Sequence, residues 1–272
     1  MSTLSSTLSV LSLFSPKEPV WTAERMIERL RYTRPTVYRY VRQLVNEGFL
    51  VRVAAGCYGL GPRIIALDYQ IRQSDPLLKA GLPVIQGLVA ASGCEINLIG
   101  LYGDEIVTTH QQHGLEHLPL SFGRGRPLPL FRGAGSKIIA ANFTNAKLRR
   151  LYAAHADDVR ANGMGQDWES FKSTMASIRR AGYARSDGEL DAGFAGFAVP
   201  VFNADGEILG SVIAALSRMR LGVTDLDRLI ALMVAAGRRI SSDIELIGHP
   251  RQRIDSPPKI AALPVRRPRV KA

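Results

Sequence analysis

Between residues 33 and 46 the chain reads TRPTVYRYVRQLVN, and its apolar positions Val37, Tyr40, Val41, Leu44 and Val45 recur at helical spacing. That spacing predicts a helix with one apolar face. Thr33 stands where a hydroxyl can cap the first turn, and Pro35 is tolerated there because its missing N–H would have no intrahelical partner. Arg34, Thr36, Tyr38, Arg39 and Arg42 are left to point outward. Upstream, Leu4, Leu8 and Leu11, with Val10 and Phe14, predict an amphipathic helix over 3–14, broken by Ser15-Pro16-Lys17-Glu18-Pro19. Thr22 can cap a second helix over 23–30, with Met26, Ile27 and Leu30 inward, and Arg31-Tyr32-Thr33 is a three-residue turn. Downstream, Glu47-Gly48 ends the 33–46 helix, glycine supplying the left-handed cap. Phe49–Val53 and Cys57–Leu60 then flank Ala54-Ala55-Gly56 and predict a two-stranded hairpin. Three helices followed by a hairpin make a winged helix-turn-helix, assigned to residues 1–61.

Gly61-Pro62 opens a further helix over 62–74, with Ile64, Ile65, Leu67 and Ile71 periodic, linking this part to the rest. Residues 77–92 read as helical, interrupted by Gly81 and Pro83 and ending at Gly93. From there the texture changes to strand-like runs over 95–102, 105–110 and 118–122, with Gly103-Asp104 as a turn. Helices are predicted over 134–143, 145–154 and 167–181. A second hairpin, 197–202 with 208–216, turns about Asn203-Ala204-Asp205-Gly206, and Thr224 caps a last helix over 225–247. Helices interleaved with antiparallel hairpins predict an α+β domain built on an antiparallel sheet over 75–248.

Charge adds a partner. The 272 residues carry a net charge of +11, all of it on the two ends. Residues 1–72 hold ten Lys/Arg against five acids, residues 249–272 hold seven against one, and the stretch between is balanced at eighteen of each. A basic enzyme would spread this excess, whereas a protein that grips a polyanion with its ends concentrates it. The outward residues of the 33–46 helix fit that use. Arginine pairs bidentately with guanine edges, while Thr and Tyr reach phosphates or thymine methyls. Arg34, Pro35, Thr36, Tyr38, Arg39 and Arg42 are therefore the candidate DNA-contacting residues, joined by Arg52 on the wing. The tail 249–272 has five prolines in 24 residues, which predicts a basic, disordered segment able to add phosphate contacts.

Other classes find little support. No apolar run approaches the roughly 18 residues of a membrane span, and residues 1–15 lack the basic start of a signal peptide, so a cytoplasmic protein is expected. Cys57 and Cys94 make no disulfide framework and no CxxC pair. His110, His113 and His117, with Glu116, have a spacing that would suit a metal on a helix. The stretch reads as strand and loop, so no metal and no cofactor is expected. The sequence has no GxSxG, HExxH or CxxC, and GAGSK at 133–137 is too short for a phosphate-binding loop, so no enzymatic activity is expected.

Five segments also resemble, in order, those of the IclR-type bacterial transcriptional regulators. They are TVYRYVRQLVNEGFL at 36–50, GCYGLGPRI at 56–64, GRPLPLFRGAGSKII at 125–139, IRRAGYARSDGE at 178–189 and FAVPVFNADGEILGSVIAAL at 197–216. The turn Arg31-Tyr32-Thr33 departs from the family's pattern in having no glycine. The resemblance implies a GAF/PAS-like effector-binding domain, a double-stranded DNA operator as partner, and a homodimer through the N-terminal domains or a homotetramer that adds the C-terminal ones. It places the effector pocket at Gly133, Ala134 and Ser136, where free N–H groups at a helix start suit a carboxylate, at Asp187 and Glu189, and at Gly196, Ile213 and Ala215. At the last three positions, members that bind small polar acids carry Cys or Ser. Gly, Ile and Ala offer few hydrogen bonds and more room, so the expected effector is an aromatic or branched carboxylic acid. The alternatives are a constitutive DNA-binding protein without effector, whose DNA binding would show no metabolite dependence, and an enzyme fused to a DNA-binding domain, whose activity would survive replacement of Arg39 and Arg42 by alanine.

Overall fold

Met26, Val37, Tyr40, Val41 and Leu44 are all buried in the computed structural model, which describes residues 3–247. The chain divides between Ser74 and Asp75 into two compact units. In the first, helix α1 (Thr3–Leu8) and a 3-10 turn (Leu11–Leu13) lead to strand β1 (Trp21–Thr22) and helices α2 (Ala23–Leu30) and α3 (Arg34–Asn46). Strands β2 (Leu50–Ala54) and β3 (Cys57–Leu60) form the wing, and helix α4 (Pro62–Ser74) closes the unit in sequence.

Three local expectations are corrected here. The first helix stops at Leu8, where Ser9 bonds back to Ser5 and Ser6 carbonyls through its amide and hydroxyl. Leu4 and Leu8 are consequently exposed, and Val10 and Leu13 enter the core instead. Thr33 does not cap α3 with its side chain; its hydroxyl pairs with that of Thr36 at 2.8 Å. The wing has three strands in the order β1-β3-β2, because Trp21 and Thr22 pair with Tyr58 and Cys57. Thr22 does cap α2, accepting from the Arg25 amide. Lacking a glycine, the turn after α2 places Arg31 itself in the left-handed region at φ 58°.

The second unit opens with helix α5 (Pro76–Ser92), followed by strands β4 (Glu95–Tyr102), β5 (Glu105–Gln112) and β6 (Pro127–Leu128). Helices α6 (Ala134–Ala141), α7 (Asn145–Ala161) and α8 (Trp168–Ala181) come next, then strands β7 (Ala184–Asp187), β8 (Phe194–Phe202) and β9 (Ile208–Ser217). A short α9 (Arg218–Leu221) and a long α10 (Leu226–Ile247) complete it. The six strands form one antiparallel sheet in the order β6-β5-β4-β9-β8-β7. Alternation along the strands sorts its two faces. Ile96, Leu98, Val212, Ala214 and Leu216 pack with residues of α5 and α10, whereas Ile99, Ile213 and Ala198 pack with residues of α6 and α8.

This unit also departs from the local expectations. Gly81 and Pro83 do not interrupt α5. Asp75 caps it by accepting from the Leu77 and Leu78 amides, and a Cβ on Gly81 would sit 2.6 Å from Leu98 Cδ1, so this glycine lets the helix approach the sheet. The other Asp75 oxygen accepts from the Tyr102 hydroxyl at 2.8 Å, and burial together with this carboxylate pushes the Tyr102 hydroxyl far above its ordinary range. Residues 118–122 form no strand; the outer pairing partner of β5, on the side away from β4, is Pro127–Leu128. The α7 helix runs on to Ala161 through a kink at His155, and β7 is an additional edge strand. Thr224 turns its hydroxyl back to the Arg220 carbonyl, and Asp225 accepts from the Arg228 amide at the start of α10. The basic tail at 249–272 lies outside the described residues.

Candidate nucleic-acid interface and ligand cavity

Helix α3 shows two faces. Val37, Tyr40, Val41 and Leu44 are buried, Arg34, Pro35, Tyr38, Arg39 and Arg42 are exposed, and Thr36 is half-buried. The exposed face is partly ordered by its neighbours. The Tyr38 hydroxyl donates to Glu24 Oε1 of α2 at 2.8 Å, and the Arg34 guanidinium lies 5.6 Å from the Tyr38 ring centre. Glu24's own backbone N–H and the Tyr38 hydroxyl hold its carboxyl below the usual carboxylate range. Arg39 lies 5.4 Å from the Tyr40 ring centre, and among the described residues neither it nor Arg42 meets a carboxylate. Arg52 is exposed on β2, and its Nε donates to the carbonyl of Ala54 at 3.3 Å.

A second site lies in the other unit, between the sheet and the start of α6. A cavity of about 70 Å³ is lined there by Ala134, Glu189, Gly196, Ile213 and Ala215, five of the positions expected from the sequence. The cavity holds several water molecules' worth of space. Ile213 reaches across to α6, where a Cβ on Gly135 would lie 2.3 Å from its Cδ1. Gly196 leaves room beside Ser186, whose hydroxyl would be 2.9 Å from an added Cβ.

Three other expected positions do not line it. Ser136 is fully buried in α6 with its hydroxyl unpartnered. Asp187 turns to the surface and pairs with Arg218 at 3.0 Å. Gly133 is beside the cavity, but its N–H is not free: it donates to Glu189 Oε2 at 2.8 Å, while Lys137 Nζ meets Glu189 Oε1 at 2.5 Å. The carboxylate expected at this helix start is therefore supplied by the chain itself.

The wall is also more polar than Gly, Ile and Ala suggest. Asn97, Thr108, Ser186 and Asp191 contribute to it. Asn97 is 6% exposed, and its Oδ1 has no partner. A signal for this is present in the sequence: in EINLIGL at 95–101, Glu95, Asn97 and Ile99 alternate onto one face, and two of these three are polar. Glu95 is fully buried and accepts from Gln111 Nε2, with His113 Nδ1 3.2 Å away. The His113 and His117 rings lie 4.2 Å apart, yet no group of three or more His, Cys, Asp or Glu among the described residues is placed to hold a metal. Burial pushes the Cys94 thiol up, as befits a packed rather than a reactive sulfur. Among the described residues, no helix is long and apolar enough to cross a membrane.

Two family models match this chain. The IclR helix-turn-helix domain covers residues 3–54, and the bacterial transcriptional regulator IclR C-terminal region covers residues 70–242. The chain belongs to the IclR family. Like its relatives it is a DNA-binding transcriptional regulator. The Pca regulon regulatory protein of Pseudomonas putida is 24% identical over 241 residues, 88% of this chain and 82% of that protein. The HTH-type transcriptional regulator KipR of Bacillus subtilis is 24% identical over 214 residues, 78% of this chain and 85% of that one. Among solved structures, the Thermotoga maritima IclR superposes with a TM-score of 0.70 at 18% identity, covering 89% of this chain and 98% of that one. An IclR homolog from Microbacterium hydrocarbonoxydans complexed with 4-hydroxybenzoate gives 0.74 at 20% identity, covering 90% and 100%. These likenesses show the two-part fold, with the α3 helix inside the helix-turn-helix match and the cavity inside the C-terminal match.

Proposed function

We propose that this regulator holds its operator with α3 in the major groove and the β2–β3 wing beside it, and that a small organic acid in the C-terminal cavity modulates the grip. The observation that carries the first half is the exposed Arg39 and Arg42 pair, which has no carboxylate partner among the described residues and faces away from the buried side of α3. Arg34, Thr36, Tyr38 and Arg52 extend the surface, and Pro35 fixes the first turn that presents it. Phosphate contacts by such residues set affinity and its salt dependence, and one or two base contacts set the sequence. One winged helix reads too few base pairs for useful specificity, so the working form is a homodimer. Helix α4 supports this reading, since none of its residues is buried and Ile65, Tyr69 and Ile71 are each more than half exposed.

For the cavity, the reading is an acid with an aromatic or branched body. Ile213, Leu190, Phe122 and Phe194 offer an apolar wall, with Asn97 and Ser186 as the polar readers. The 4-hydroxybenzoate complex of the Microbacterium homolog supports an aromatic acid as the first class to test. To act, the acid must bind the operator-competent and incompetent states with different affinities.

The purified protein is expected to retard DNA from upstream of its own gene in a gel, with at least one such acid altering the shift. Gly196→Val, which fills the space beside Ser186 and Ala134, is expected to weaken aromatic acids at least tenfold in calorimetry while the retardation persists. Unchanged affinity in that variant would place the ligand elsewhere.

A further inference from the structure

The charged residues lining the cavity are Glu189 and Asp191, and no Lys or Arg among the described residues lines it. An anionic effector would therefore meet two carboxylates and no cation. Lys137, on the first turn of α6 beside the cavity and 9% exposed at its side chain, is already neutralised by Glu189. We propose that Glu189 is a built-in stand-in for the effector's carboxylate: the effector binds by displacing it from Lys137 and from the first turn of α6. The proposal deepens the acid-effector reading above and rests on it.

The geometry is that of a bound carboxylate. One Glu189 oxygen takes the Gly133 N–H at 2.8 Å, and the other takes the Lys137 ammonium at 2.5 Å. A carboxylate at that position gains both the unpaired donors of a helix start and a desolvated cation. Glu189 arrives there on a short loop bounded by Gly188 and Gly193, both in the left-handed region at φ 65° and 89°. Its neighbour Leu190 lies directly over Gly133, so closely that a Cβ there would be 2.6 Å from Leu190 Cδ1. Asp191 fastens the far side of the same loop by accepting from the Ser121 amide at 3.0 Å.

Glu189, Leu190 and Asp191 thus roof the cavity, and releasing Glu189 frees both the cation and the space. A purely structural latch would leave the chamber below it satisfied. Instead Asn97, buried on β4 at 6% exposure and among the residues lining the same cavity, has an amide oxygen with no partner, an acceptor that suits a ligand hydroxyl such as that of 4-hydroxybenzoate.

The test is a calorimetric titration of the full-length protein with benzoate and 4-hydroxybenzoate, with benzamide and 4-hydroxybenzamide as uncharged controls. Glu189→Ala is expected to bind the acids at least tenfold more tightly than wild type, with no comparable gain for the amides. Glu189→Gln keeps the shape of the loop should the alanine variant fold poorly, and it is expected to gain severalfold in the same direction. Lys137→Met is expected to abolish the gain in either background. Asp191→Asn removes a negative charge from the same wall without freeing Lys137, so its effect is expected to be smaller than that of Glu189→Gln. Equal effects of Asp191→Asn and Glu189→Gln, or acids binding a folded Glu189 variant no better than wild type, overturn the displacement while the site reading stands. Acids that bind neither wild type nor variant overturn both.

Discussion

Replacing Arg39 and Arg42 together by alanine is expected to weaken operator binding by a factor of about 100 or more without unfolding the protein. Both side chains are exposed and lie off the buried face of α3, so their removal leaves Val37, Tyr40, Val41 and Leu44 packed. Exposed substitutions of this kind change stability by about 0.5 kcal/mol at most. Their effect on DNA is of another order. A bidentate arginine–guanine pair contributes about 1–3 kcal/mol, and each phosphate left without its arginine flattens the salt slope by about 0.9. In a homodimer the double variant removes four guanidinium groups from one operator. Titration of labelled operator at several salt concentrations therefore checks two quantities: the affinity at fixed salt, and a slope flatter by up to about 4. Wild-type affinity and slope in the variant would mean that α3 does not face DNA.

The second large effect concerns a residue that touches nothing chemical. Gly61 donates its N–H to the Phe49 carbonyl at 2.7 Å, where the end of β3 returns to the end of α3. A Cβ at Gly61 would lie 2.2 Å from the Gly48 carbonyl oxygen and 2.9 Å from the carbonyl carbons of Gly48 and Phe49. All three atoms are backbone, so no side chain can swing aside. The same Gly48 carbonyl accepts from the Arg63 amide at 3.1 Å, so the clash also strains the start of α4. Gly61→Ala is expected to destabilise the N-terminal unit by about 3 kcal/mol, the upper range of overpacking costs. Operator binding should fall with it, while calorimetric binding of acids in the C-terminal unit persists. Thermal melting followed by circular dichroism reads the first effect.

How much of this is legible in the sequence depends on whether the signal is local. Helix α4 begins and ends where the Gly61-Pro62 opening and the apolar spacing put it, and the inward face of α3 is the one that periodicity names. The Thr22 cap of α2 is likewise a matter of three neighbouring residues. Strand β1 is two residues long and has no period to detect; only its pairing with Cys57 and Tyr58, far along the chain, makes it a strand. Strand β7 reads ARSD, an edge segment of mixed polarity that its pairing with β8 defines. The cavity shows the same division. Its positions on α6 and β9 fall in segments that resemble the family and Gly196 stands just before one, but the Glu189–Lys137 pair joins residues 52 apart, and no spacing rule reports such a pair. Asn97 is legible as a polar residue in an apolar strand, and its significance emerges only with the opposite wall in place.

The most direct test of effector control is the affinity of the protein for labelled DNA from upstream of its own gene, measured by fluorescence anisotropy across a panel of carboxylic acids. Coupling between sites is typically about 5–150-fold in affinity. At least one aromatic or branched acid is expected to change operator affinity within that range, and Gly196→Val is expected to abolish the change while leaving DNA binding intact. An affinity that no acid alters would contradict control by an acid in this cavity, and one that only small polar acids such as glyoxylate alter would contradict the aromatic or branched class of effector.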